Sequence, residues 1–211
     1  ETQAALNESG QCLAFEPPEF ESAATIGGTI ASGLSGPCRP YRGSVRDFVL
    51  GVTCVNGRGE SLRFGGQVMK NVAGYDVSRL MVGAMGTLGA ILDVSFKVLP
   101  MPEVEQTRVY EVSEEKAIAK MNEWAAQPLP LSAACYLKNE LRIRLSGTEA
   151  GVAAAVRDLG GAQDLEGSLF WRALREQCLP FFESTDVLWR LVVPPATPPL
   201  GLLGNGLVDW G

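Results

Sequence analysis

A chain of 211 residues that is 46% hydrophobic and 20% charged has material for one or two modest cores, which excludes a disordered segment. With 18 Lys+Arg against 24 Asp+Glu its net charge is -6, and no Lys/Arg stripe is available to neutralise phosphates, so nucleic acid is not an expected partner. No apolar run approaches the roughly 20 residues that span a bilayer, and no basic stretch followed by an apolar one opens the chain.

Histidine is absent. That removes imidazole acid–base chemistry, histidine triads and the commonest zinc ligand from these residues. Cys12, Cys38, Cys54, Cys135 and Cys178 are scattered without a C-x-x-C pair, so isolated thiols are expected rather than a metal or redox centre. The chain starts at Glu1 in what reads as the middle of an element, and a piece of a longer protein is therefore expected.

In chain order, the first informative stretch runs from Thr25 to Gly36, where Gly27, Gly28, Gly33 and Gly36 alternate with hydroxyl residues. Backbone free of side chains can approach a bulky ligand, and N–H groups at a short helix N-terminus suit phosphate oxygens. The stretch contains neither G-x-G-x-x-G nor the Walker pattern, and by itself it fits a tight packing loop equally well. The alternation of Phe48, Leu50, Val52 and Cys54 predicts a strand, followed by an Asn56-Gly57 turn and a return strand near Glu60 to Phe64. Met69 to Asp76 is polar and aromatic; Asp76 can start a helix carrying Leu80 and Met81. Lys70 or Tyr75 could touch an acid substrate there, a plain solvated loop being the simpler reading. A second glycine cluster, Gly83 to Gly89, leads into a strand in which Leu92, Val94, Phe96 and Val98 are expected to face a core. Pro100 and Pro102 end it.

Beyond that boundary the pattern reads strand, helix, strand, strand, helix, strand. Arg108 to Val112 begins it, Ser113 caps a helix with Ile118, Met121 and Trp124 on one face, and a hairpin turns around Lys138-Asn139-Glu140. Thr148 caps the next helix, with Val152, Val156 and Leu159 in register. A short helix carries Phe170, Trp171 and Leu174, and Val187 to Val193 is the expected last strand. This order is that of the ferredoxin-like unit, with both helices on one face of a small antiparallel sheet. The expected fold class is α+β, with boundaries at 1–102, 103–193 and a Pro/Gly-rich extended tail at 194–211.

In this order and spacing the TIGGT stretch, Arg46-Asp47, the KNVAGYD segment and Gly86-Thr87-Leu88-Gly89 resemble the second half of the FAD-binding domain in vanillyl-alcohol-oxidase-type (PCMH-type) flavoproteins. Within that family the likeness is to FAD-binding subunits of glycolate oxidases. Residues 101–211 resemble the cap region of those subunits less specifically, through Leu188-Trp189-Arg190-Leu191 and the prolines from Pro194.

The resemblance implies FAD as cofactor. Thr25, Gly27, Gly28 and Thr29 match the loop along the flavin and its ribityl-pyrophosphate arm, and Ser32, Gly33 and Gly36 match the following turn. Gly86, Thr87 and Gly89 match the pyrophosphate and adenosine end, while Ala90 and Ile91 match positions whose backbone reads the adenine. The implied function is a subunit of a complex that oxidises a 2-hydroxy acid, glycolate to glyoxylate, with a catalytic FAD subunit and an iron–sulfur subunit as partners. The alternative it implies is an architectural subunit that keeps the flavin fold. Related D-2-hydroxy-acid dehydrogenases place histidines in the cap to bind a metal and take the hydroxyl proton, and this sequence has none. The family's first FAD lobe would lie before Glu1, so this stretch alone is expected to fold, to hold FAD weakly and to be inactive. The expected location is cytoplasmic, peripheral at the inner membrane through partners.

Overall fold

A computed structural model describes residues 1–20, 24–67, 74–183 and 187–209. The chain divides into two compact units, Glu1–Met101 and Pro102–Gly211.

In the first unit α1 (Thr2–Glu8) and β1 (Gln11–Cys12) precede three short helices, α2 (Ile26–Ser32), α3 (Arg39–Arg42) and α4 (Val45–Phe48). Then come β2 (Val49–Val55), β3 (Ser61–Gly65), α5 (Val77–Leu80), β4 (Ala90–Phe96) and β5 (Leu99–Pro100). β2 lies between β3 and β4 in a three-stranded antiparallel sheet, and β1 pairs with β5. Leu13, Ala14, Phe15, Ile30, Val45, Phe48, Val52 and Met81 form the core against this sheet. Phe48, expected in the strand, instead ends α4 and packs its ring 5.7 Å from that of Phe15.

Two details of the sheet depart from the sequence pattern. The turn after β2 spans five residues, because Val55 pairs with Ser61. Asn56 shapes it through its side chain, whose Oδ1 accepts the N–H groups of Arg58 (2.9 Å) and Glu60 (3.1 Å), and Gly59 rather than Gly57 takes the positive φ. In β4 the register slips at Leu92: Thr53 opposes Asp93 while Cys54 opposes Ile91. A bulge of this kind moves every residue before it to the other face. Ile91 joins Val94 and Phe96 against the core, and Leu92 is turned outward, 61% exposed.

The second unit runs β6 (Val104–Glu111), α6 (Glu114–Ala125), β7 (Leu131–Leu137), β8 (Glu140–Gly147), α7 (Glu149–Leu159), β9 (Ala162–Asp164), α8 (Gly167–Arg175) and β10 (Leu207–Asp209). Its antiparallel sheet has the order β10-β7-β8-β6-β9. The hairpin between β7 and β8 closes with two residues, Lys138 and Asn139, both at positive φ as a type I′ turn demands. Ser113 and Thr148 cap α6 and α7 by accepting the N–H groups of Lys116 and Gly151. On one face Tyr110 of β6 stacks 5.1 Å from Trp124 of α6, and Arg108 and Tyr110 donate to Gly160 O at the end of α7.

The strand expected at Val187 to Val193 does not form. β9 already occupies the β6 edge and β10 the β7 edge, so the sheet offers that run no place; it stays outside the sheet and exposed, with Trp189 at 79%. The expected extended tail likewise contributes β10. α8 covers the second face of the sheet. Beneath it Thr107 Oγ1 accepts the Trp171 indole N–H at 2.9 Å, and Arg144, 5% exposed, donates to Ser132 Oγ at 2.9 Å with Glu105 3.6 Å away. The arginines that alternate with Leu141, Ile143 and Leu145 therefore face Phe170 and Trp171, with ring distances of 4.6 and 5.6 Å, rather than water.

Candidate functional site

The Thr25 to Gly36 stretch is mostly helical rather than a loop. Thr25, exposed and extended, caps α2 with Oγ1 accepting Gly28 N–H at 3.1 Å, while Thr29 N–H reaches Thr25 O. Gly27, Gly28, Thr29 and Ser32 lie within the helix. The N–H groups of Ile26 and Gly27 have no acceptor among the described residues, as expected of a first helical turn. A Cβ on Gly27 would meet nothing within 4 Å, and one on Gly28 only its own Thr25 Oγ1. At the other end Gly33 takes the left-handed cap (φ +69) and donates to Thr29 O at 3.1 Å. Gly36 N–H donates to Phe15 O at 2.9 Å, anchoring the exit to the core.

The second cluster meets the first through backbone. Gly83 N–H donates to Ile30 O at 3.1 Å and Met85 N–H to Ala31 O at 2.9 Å, so the last carbonyls of α2 are satisfied by the Gly83 to Gly89 stretch. A Cβ on Gly33 would stand 3.0 Å from Gly83 Cα. The two glycine-rich stretches, some fifty residues apart, are therefore joined at one place. Beside the junction an Arg46 Nη2 lies 3.5 Å from Val82 O.

Thr87 turns back on Ala84 O through its N–H (2.9 Å) and Oγ1 (2.6 Å). Gly86, at φ +75, has open space where a side chain would stand; Gly89 does not, since a Cβ there would meet Val55 O at 2.6 Å. Gly89 is thus explained by packing on the end of β2. Ala90 is exposed opposite Val55, and the Ile91 side chain points to the core, leaving only its backbone for a ligand. Tyr75, 96% exposed, precedes Asp76, whose Oδ1 accepts Arg79 N–H at 3.0 Å to cap α5. Lys70 lies outside the described residues.

Sequence reasoning missed the role of Gly83. The signal for it was a glycine beginning the second cluster, which reads locally as a turn. It also passed over the capping box at Ser44 and Asp47, in which Asp47 Oδ2 accepts both the N–H (2.8 Å) and the hydroxyl (2.9 Å) of Ser44. Partial burial pushes the Asp47 carboxyl up, but the two Ser44 bonds, with Arg79 and Lys97 nearby, outweigh it and hold the group below the ordinary carboxylate value of 3.8. A depressed carboxylate contributes stability above its unfolded pKa and loses it as pH falls through the folded one. Asp47→Asn should therefore be less stable than the unsubstituted protein at neutral pH, and the two should converge as the pH falls through the depressed pKa, below 3.8. Urea melts across that range check it; a gap that persists in acid would refute the assignment.

Cys38 is buried with its Sγ donating to Ala14 O, and burial pushes the Cys135 thiol far up and raises that of Cys12. Among the described residues no group of three or more metal-ligating side chains occurs, and no helix is long and apolar enough to cross a membrane.

Residues 1–65 match the model of an FAD binding domain. A solved alkyldihydroxyacetonephosphate synthase shares the fold over 83% of this chain and 40% of its own, with a TM-score of 0.63 at 19% identity. The chain is a homologue of glycolate oxidase subunit GlcE of Escherichia coli (strain K12), with 51% identity over 209 residues, 99% of this chain. It spans 59% of that relative's length. Glycolate oxidase subunit GlcD of Bacillus subtilis (strain 168) is 41% identical over 95 residues, 44% of this chain and 20% of its own.

Proposed function

We propose that this chain is the FAD-binding part of a glycolate oxidase subunit, in which the dinucleotide lies along the two clasped glycine-rich stretches. The observation that carries the reading is the clasp itself. It sets unobstructed backbone at Gly27 and Gly86, with the open N–H groups of Ile26 and Gly27, in one unit. A flat, anionic ligand needs such surface, since a side chain at these points would hold it off.

On this reading Thr25, Gly27, Gly28 and Thr29 run along the flavin and its ribityl-pyrophosphate arm, and Ser32, Gly33 and Gly36 form the following turn. Gly86, Thr87 and Gly89 serve the pyrophosphate and adenosine end, and the backbone of Ala90 and Ile91 meets the adenine. Lys70 and Tyr75 are the candidates for the carboxylate of a 2-hydroxy acid. The bound FAD would accept a hydride equivalent from the carbon bearing the hydroxyl, turning glycolate into glyoxylate, while the protein orients and excludes water. The first unit then corresponds to the second lobe of a PCMH-type domain and residues 103–193 to a ferredoxin-like cap. Partners would be a catalytic FAD subunit and an iron–sulfur subunit, in the cytoplasm and peripheral at the inner membrane through them.

A second reading, an architectural subunit that supports a catalytic partner, is favoured by the absence of histidine from these residues. The proton of the hydroxyl must then be taken by another group. Flavin content of the full-length subunit, freed of partners, separates the two readings: bound FAD supports the first, and a folded subunit without it the second.

A further inference from the structure

We propose that Gly33 and Gly83 are positioning residues for the FAD site, acting on each other rather than touching the cofactor; the inference rests on the FAD reading above. Their role follows from three observations. Gly33 ends α2 in the left-handed region, and the space for its Cβ is taken by Gly83 Cα at 3.0 Å and Gly83 N at 3.2 Å. Gly83, itself at φ +77, and Met85 donate their N–H groups to the last carbonyls of α2, Ile30 O and Ala31 O. Both anchors beneath are fixed, since Ile30, Met81 and Val82 are buried in the core. The spacing between the two ligand-facing stretches is therefore set by backbone packed on backbone, which cannot yield by a rotamer change.

One methyl group at Gly33 must push Gly83 away by a few tenths of an ångström, and the Gly86 to Ile91 stretch follows it. A site assembled from two backbone segments loses affinity when their spacing drifts, because the ligand can satisfy only one of them at a time.

A matched control is present in the same unit. Gly10 has nearly the same backbone angle (φ +64) but open space where its Cβ would stand, so Gly10→Ala introduces the strain of a left-handed alanine without touching the clasp. In the full-length protein titrated with FAD, Gly33→Ala is expected to raise the dissociation constant about tenfold. It should also alter the visible absorption band of the flavin that does bind. Gly10→Ala should leave both at their original values. Equal FAD binding by a folded Gly33→Ala protein, or equal losses in both variants, would overturn the proposal. An unsubstituted protein that takes up no FAD would overturn the FAD reading, and this inference with it. Should Gly33→Ala fail to fold, amide exchange in the unsubstituted protein decides: FAD should slow exchange at Gly83 and Met85, and unchanged rates there despite bound FAD would refute the clasp.

Discussion

Trp171→Ala is expected to destabilise the second unit by about 4 kcal/mol, within the usual range for removing a large aromatic side chain from a core. Trp171 is 3% exposed in the cluster with Ala133, Cys135, Leu174 and Leu179. Two further losses add to the cavity. The Thr107 hydroxyl gives up its indole donor at 2.9 Å, and the Arg144 guanidinium, buried 5.6 Å from the ring, loses its aromatic cover. Trp171→Phe keeps the ring stack and removes mainly the hydrogen bond, so it should cost only about 1–2 kcal/mol. Chemical denaturation followed by amide exchange in β6 to β8 measures both. Equal costs for the two variants would show that the hydrogen bond, not the packing, secures α8.

Gly65→Ala should destabilise the first unit by about 3 kcal/mol or more, from left-handed strain and overpacking together. Gly65 sits at φ +68, and a Cβ there would overlap Leu50 O and the buried Ser78 hydroxyl and stand 3.0 Å from Gly51 Cα. No rotamer relieves this, since the obstructing atoms are mainly backbone of the central strand β2. Faster amide exchange in β2 and β3, with exchange in the second unit unchanged, is the expected signature. Gly57→Ala has open space and no positive φ, and should leave the same amides as they are.

What could be read from sequence was local. Ser113, Thr148 and Asp76 announce their helices because a cap needs only the next three residues. Trp171 and Leu174 show the face of α8 through helical spacing. The strand alternation of β2 was equally plain. What escaped depended on distant partners. Leu92 reads as a core residue until the bulge against Thr53 and Cys54 turns it outward. The Val187 to Val193 run has a strand's composition, yet β9 and β10 hold both edges of the sheet. Arg142 and Arg144 lie under Phe170 and Trp171, and nothing nearby in sequence shows that α8 covers them.

The candidate site followed the same division. Glycine clusters are visible in any sequence, and their likeness to a flavoprotein family gave FAD. Which glycines are free for a ligand and which serve packing was not visible. Gly89 is forced by Val55 O and Gly33 by Gly83, whereas Gly27 and Gly86 are free of such neighbours.

The central claim is that the two clasped stretches belong to an FAD site carried by this subunit. It is tested most directly by measuring FAD in the full-length protein after separation from any partner and gel filtration. Close to one FAD per chain is expected. A folded, colourless subunit that takes up no added FAD would contradict it and leave the glycine clasp as architecture alone.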